Sequence, residues 1–181
     1  MAKNQPIKAV EVRTSNLINI PEPGSYISGT NQTGGLGGTI VTDSNANFLG
    51  VSNPGNTGVS NKVNIGDIIY IDDVLGNPSI SRILSVDSNT QITTNALASG
   101  TSAYKIYRSN GTFNGPLVEQ GKTGMEGYSL YVGGGGDVSV IPAASEDTVV
   151  LKGVADGAFI PLQVVRVNST GTTATDILAL E

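Results

Sequence analysis

The two residue types that most often supply acid–base and metal chemistry in proteins are absent from this chain. It has no histidine and no cysteine, so the usual general base near neutral pH and the thiolate ligand or nucleophile are both missing. A serine nucleophile would need a lysine as its base. The composition therefore predicts a protein that is not an enzyme, with no catalytic residue, cofactor or metal ligand assigned.

Two acidic doublets, Asp72-Asp73 and Glu146-Asp147, are the remaining candidates for a calcium site or a carboxylate pair. Neighbouring residues on a strand point to opposite faces, so neither doublet converges on one ligand, and we interpret both as solvated turns. The glycine run Gly133–Gly136 lacks the Lys-Ser/Thr pair and the following helix that a phosphate-binding loop requires. We interpret this run as a flexible hairpin loop.

Charge and hydropathy limit the partners. The net charge is −5 and the pI about 4.6, against the basic surface that nucleic-acid binding needs. No apolar run reaches the roughly 20 residues of a membrane span, and the first residues lack the apolar stretch of a secretory signal. Only 14% of residues are charged, against about 25% in typical domains. We therefore predict no nucleic-acid or membrane partner, and a surface partly covered in a symmetric homo-oligomer, a trimer or a pentamer.

The pattern along the chain is all-β. Short apolar or alternating runs are separated by turn residues, and no helical periodicity is sustained. We predict an N-terminal arm (1–24), a β-barrel or sandwich module (25–110), a linker (111–124) and a C-terminal β module (125–181). The predicted strands are 38–42, 63–71, 80–86, 91–94 and 104–108 in the first module, then 128–132, 137–141, 148–151, 159–167 and 174–180.

Two segments carry the predicted interface. Alternating residues in 7–13 and a short apolar run at 17–20 precede prolines 21 and 23, so the arm either folds back on its own domain or adds a strand to a neighbouring subunit. In the strand 159–167, Pro161 favours an edge or strand-start position. Phe159, Leu162, Val164 and Val167 are expected to include the main apolar anchors of the C-terminal module, with a bend at Pro161 bringing Phe159 to the same face. The candidate interface residues are Ile7, Val10, Val12, Leu17, Ile18, Ile20, Phe159, Leu162, Val164 and Val167.

The C-terminal third carries a specific succession of sequence strings. These are Tyr128-Ser129-Leu130-Tyr131-Val132-Gly133, Asp147-Thr148-Val149-Val150-Leu151, Phe159-Ile160-Pro161-Leu162-Gln163-Val164-Val165-Arg166-Val167, and the closing segment Thr170-Gly171-Thr172-Thr173-Ala174. The succession resembles a C-terminal module of tailed-bacteriophage virion proteins, including spike-base proteins of heads and gene transfer agents. The stretch Val63–Tyr107 is similar to a β module common in phage structural proteins.

The resemblance implies a virion protein that is assembled in the host cytoplasm and carries no catalytic residues. The expected function is capsid decoration or cement, or a head-spike base that bridges capsid subunits, with capsid or other virion proteins as partners. Two alternatives stay open: a tail, neck or baseplate component, and a carbohydrate- or receptor-binding module that uses tyrosines and takes a host-surface glycan as its partner.

Overall fold

A computed structural model describes residues 8–23, 26–32, 38–50, 62–72, 78–95, 102–109, 127–143, 145 and 147–181. The described residues form strands and no helix, which confirms the all-β prediction. They belong to two units: unit 1 comprises Met1–Gly24 and Ser109–Glu181, and unit 2 comprises Ser25–Arg108. The strands are β1 (Ala9–Glu11), β2 (Tyr26–Thr30), β3 (Ile40–Thr42), β4 (Ile68–Asp72), β5 (Pro78–Ser88), β6 (Gln91–Thr94), β7 (Ala103–Tyr107), β8 (Tyr128–Gly134), β9 (Gly136–Pro142), β10 (Val149–Val154), β11 (Ala158–Val167) and β12 (Thr175–Leu180).

Unit 2 is an antiparallel six-stranded sheet in the order β2-β7-β4-β5-β6-β3, curled into a half-barrel. Its concave side holds a buried cluster that includes Val41, Phe48, Ile69, Ile83 and Tyr104. The apolar strand β4 lies in the interior of the sheet, as its sequence predicts. It begins at Ile68 rather than at Val63, because the chain turns at Gly66 with a φ of +96°.

The curl of unit 2 brings the two outer strands of its sheet together, through a backbone hydrogen bond from Gln32 N to Thr42 O at 2.7 Å and through side chains. Asp43, which follows β3, accepts hydrogen bonds on Oδ2 from Thr30 N at 3.2 Å and from the Tyr104 hydroxyl at 2.9 Å. Asn31, which follows β2, accepts one from Thr42 N. Both Asp43 and Asn31 are buried, where a polar side chain is stable only if it is hydrogen-bonded. These bonds hold β2 beside β3.

Strand β2 was not predicted from the sequence, because Ser28 and Gly29 lower its β propensity. The glycine is required by packing: a Cβ at position 29 would lie 2.7 Å from Tyr104 Cζ. The small residue thus allows the Tyr104 ring to lie against the backbone of β2.

Unit 1 is an antiparallel six-stranded sheet in the order β1-β12-β8-β11-β9-β10. It is assembled from two separate stretches of chain, and the whole of unit 2 lies between them in the sequence. Lys8 N donates to Glu181 O and Glu181 N donates back to Lys8 O at 3.0 Å. The first and last described residues of this unit are therefore direct cross-strand neighbours.

The N-terminal segment continues along unit 1 after β1. Val12 N donates to Ile177 O, Ser15 N to Val167 O and Ile20 N to Val165 O, at 2.8–2.9 Å. The last two bonds lie beyond Val164, where pairing between β11 and β8 ends. The N-terminal segment thus folds back on its own unit, which is one of the two alternatives that the sequence leaves open.

Two predictions for unit 1 are wrong. Strand β11 lies between β8 and β9 rather than at an edge, and Pro161 is tolerated there because the register shifts between Ile160 and Val164. The run Gly133–Gly136 ends β8 and begins β9, which pair with other strands and not with each other, so it is a corner and not a flexible hairpin loop. A Cβ at Gly135 would lie 2.6 Å from Val154 O, so glycine is needed for this close approach of two backbones.

Candidate assembly surface

The outer face of the unit 1 sheet carries an aromatic pair, which we call the Phe159–Tyr131 face. Phe159 and Tyr131 are directly opposite each other on β11 and β8, and Leu178 on β12 is opposite Tyr131 on its other side. Alternation along each strand sends their neighbours Ile160 and Leu130 into the core. Phe159 is 54% exposed and Tyr131 is 38% exposed.

The register shift in β11 adds another exposed apolar residue near this face. Three residues, Pro161–Gln163, stand opposite the single residue Ser129 between the paired positions. All three are exposed, and Leu162 is 36% exposed. A β-bulge of this kind interrupts the alternation of side chains, so Leu162 does not point into the core as we expected. Phe159 was also expected in the core, and that prediction is wrong.

The structure separates the ten predicted interface residues into groups. Five are buried within unit 1: Val10, Val12, Ile20, Val164 and Val167. These five stabilise the unit and do not reach a partner while it is folded. Leu17 is 82% exposed, Ile18 is half-buried, and Phe159 and Leu162 are exposed, whereas Ile7 lies outside the described residues.

Most of the tyrosines in the described residues are packed in the core. Tyr70, Tyr104, Tyr107 and Tyr128 are buried, whereas Tyr26 and Tyr131 are exposed. Tyr26 on β2 lies 5.4 Å from the Tyr107 ring, and the Lys105 ammonium group is 5.0 Å from its ring centroid. Tyr26 is therefore exposed but already has a cation beside its ring, whereas the exposed ring of Tyr131 lies opposite Phe159.

Polar groups that could do chemistry are engaged in holding the fold. Burial raises the pKa of the Tyr104 hydroxyl, and its hydrogen bond to Asp43 raises it further. Ser102 and Lys105 have a Ser-x-x-Lys spacing, but Ser102 O accepts from Asn31 N and Lys105 lies over Tyr26. Three positions apart on extended chain, their side chains face opposite sides, so they do not form a serine–lysine pair.

The acidic doublets are only partly placed. Asp72 ends β4 and is half-buried, Asp147 is exposed, and the other member of each doublet lies outside the described residues. Within the described ranges, no three acidic side chains come together in a way that could hold a metal ion. Over the same ranges, the structure contains no helix with the length and hydropathy to cross a membrane.

A comparison of the chain with known protein families, curated proteins and solved structures finds no match to any of them.

Proposed function

We propose that this protein is a non-enzymatic structural subunit of a virion, located on the capsid as a decoration or cement protein or as the base of a head spike. The sequence resemblance of residues 128–180 to virion modules supports the virion assignment. The exposed Phe159–Tyr131 face supports the mode of action, since aromatic residues are enriched in the cores of protein interfaces.

The observation that carries the proposal is the exposure of this aromatic pair on a regular, well-bonded sheet. Its two rings stand on adjacent strands whose other faces are packed in the core, so the rings are held in position before binding. A rigid apolar surface of this kind loses little conformational entropy when it binds. The partner is a capsid or other virion protein.

Particles produced with and without the gene for this protein test the location. We expect the protein in purified particles at a fixed ratio to the capsid protein, and electron microscopy should show a corresponding density on the head. Recovery of the protein only from the soluble cell fraction would contradict the proposal. Density on the tail or baseplate would contradict the capsid location.

The mode of attachment is tested by Phe159→Ser combined with Tyr131→Ser. Both side chains are exposed, so the variant should fold normally but should be lost from particles. The matched control is Leu84→Ser, at an exposed apolar residue on β5 of unit 2, which should leave attachment through the Phe159–Tyr131 face unchanged. Equal occupancy of particles by the double variant and the native chain would show that this face is not the attachment surface.

A further inference from the structure

Strand β10 forms one outer edge of the unit 1 sheet, and it is exposed on both of its faces. Val149 is 38% exposed and Val150 42% exposed, although they point to opposite sides of the sheet. The next strand inward, β9, is buried on both faces at Val138, Ser139 and Val140. The contrast identifies β10 as an uncovered edge strand with an apolar sequence.

Hydrogen bonds on β9 determine which backbone groups of β10 face outward. Ser139 N donates to Thr172 Oγ1, and Ser139 O accepts from Asn168 N, so both backbone groups of Ser139 point away from β10. Val150 is the residue of β10 opposite Ser139. Positions alternate along an antiparallel pair, so the N–H and C=O of Val150 point to the open edge. Among the described residues, none is hydrogen-bonded to them.

The first half of the open edge lacks the features with which edge strands usually prevent pairing, and the second half has them. Residues 148–151 contain no proline, glycine or charge, whereas Lys152, Gly153 and a register shift against β9 follow Leu151. Lys152 is drawn back across the sheet to Asp137, at 2.6 Å from its Oδ2. Regular pairing of β10 with β9 ends at Leu151, and Gly153 has a φ of +58°. An added strand can thus pair along residues 149–151 and along Thr148, which precedes them.

We propose that a second copy of this chain binds here, so that two β10 strands pair antiparallel about a two-fold axis at Val150. In such a symmetric pair, residues that lie opposite each other point to the same face of the joined sheet. A two-fold axis at Val150 lets the regular part of each edge take part in the pairing. Val149 then lies opposite Leu151 of the second copy, and the two Val150 side chains lie side by side. In this register apolar side chains of one copy lie beside apolar side chains of the other, and no two like charges are brought together.

This contact is independent of the virion assignment. A two-fold contact does not close a trimer or a pentamer, so in such assemblies it joins subunits of two different rings. Absence of the protein from particles would overturn the proposed function and leave the strand pairing to be judged in solution. Failure of the pairing would leave the Phe159–Tyr131 face as the attachment surface.

Because the chain has no cysteine, a single introduced thiol reports the register of the pair. In Val150→Cys the two Cα atoms lie opposite each other at about 5.5 Å, within the range that a disulfide spans. The matched control is Thr148→Cys, at another exposed and outward-bonding position of the strand. Its two copies are offset by four residues, about 13 Å along the strand.

Mild oxidation of the purified full chain should convert most of Val150→Cys into a species of twice 18.5 kDa, and Thr148→Cys should stay unlinked. Sedimentation should show a self-association in the native chain that Val150→Lys abolishes, because two ammonium groups then face each other. Circular dichroism confirms that each variant is folded. The proposal is overturned if both cysteine variants link equally, if neither links, or if Val150→Lys associates as the native chain does.

Discussion

Adjacent residues on β11 face opposite sides of the sheet, and Phe159 and Ile160 therefore contribute very differently to stability. Phe159 is largely exposed, whereas Ile160 lies opposite Leu130 in the core. We expect Phe159→Ala to lower the free energy of unfolding by less than about 1 kcal/mol, as is usual for surface positions. Ile160→Ala should lower it by about 2–5 kcal/mol because it removes buried methyl groups and leaves a cavity. Chemical denaturation of both variants measures the difference, and equal losses would show that Phe159 is packed.

Asp87, on the exposed side of β5, introduces a pH dependence into unit 2. Hydrogen bonds from Ser85 Oγ at 2.6 Å and Thr93 Oγ1 at 2.7 Å lower the pKa of its carboxyl group. A carboxyl whose pKa is lowered by folding stabilises the protein above its pKa in the unfolded chain, about 3.9. That contribution is lost as the pH falls through the lower folded value.

Asp87→Asn should therefore be less stable than the native chain at pH 7, and the difference should shrink as the pH falls below about 4. Amide hydrogen exchange in β5 and β6 follows unit 2 separately from unit 1. A difference that stays constant from pH 7 to pH 2 would contradict the ionic origin of this contribution.

At the scale of elements, the N-terminal segment is part of the core of unit 1 rather than an appendage. Val10, Val12 and Ile20 are buried, and the backbone donates to three carbonyl groups of β11 and β12. Deleting residues 1–20 should therefore abolish the cooperative unfolding of unit 1, while unit 2 keeps its protection against hydrogen exchange. Retention of native exchange rates in β12 and β11 would show that the segment is dispensable.

Two point substitutions in β1 test whether its buried side chains stabilise unit 1, without shortening the chain as the deletion does. Val10→Ser removes a buried apolar side chain, and should cost about 2 kcal/mol from lost burial and a new polar group. Ala9→Ser, next to it and exposed, should cost less than about 0.5 kcal/mol. Equal effects of the two would mean that β1 does not pack against the unit.

An element could be predicted from the sequence when the residues that define it are neighbours along the chain, and was missed when it depends on residues far away in sequence. Strand β6 (Gln91–Thr94) was predicted with its observed bounds, because turn residues flank it and β-branched residues fill it. The exposure of Phe159 and Leu162 was not predicted. Strict alternation fails at the bulge after Ile160, and the extra residues of a bulge leave no periodic signal. Strand β2 was missed because it contains Gly29, which is needed there only because the ring of Tyr104, distant in sequence, packs against the strand.

The same reasoning applies to the candidate surface. The sequence identified two apolar segments as interface candidates, but apolarity alone does not separate residues that fill a core from residues that meet a partner. Val164 and Val167 are buried whereas Phe159 is exposed, although all three belong to one apolar stretch of the same strand. The buried and the exposed residues of β11 can be told apart only when its pairing with β8 and β9 is known.

At the scale of the whole molecule, unit 1 is discontinuous in sequence but should be able to fold as a continuous chain. Lys8 and Glu181 form a hydrogen-bonded pair, which is the geometry that a two-residue Asn-Gly turn joins. We expect a permuted chain of residues 127–181, Asn-Gly and 8–23 to fold cooperatively without unit 2. Residues 127–181 alone, as the matched control, should not fold. A disordered permuted chain would show that unit 1 depends on unit 2.

The pairing of Lys8 with Glu181 also determines how this protein responds to force. Strands β1 and β12 are antiparallel, so a pull applied at residues 8 and 181 acts at one end of the ladder. The hydrogen bonds between the two strands then break one at a time, starting from that end, because the applied force acts on only one of them at any moment. Linkage through these two positions would make a mechanically weak joint. A load carried through the Phe159–Tyr131 face would instead be spread over several strands at once.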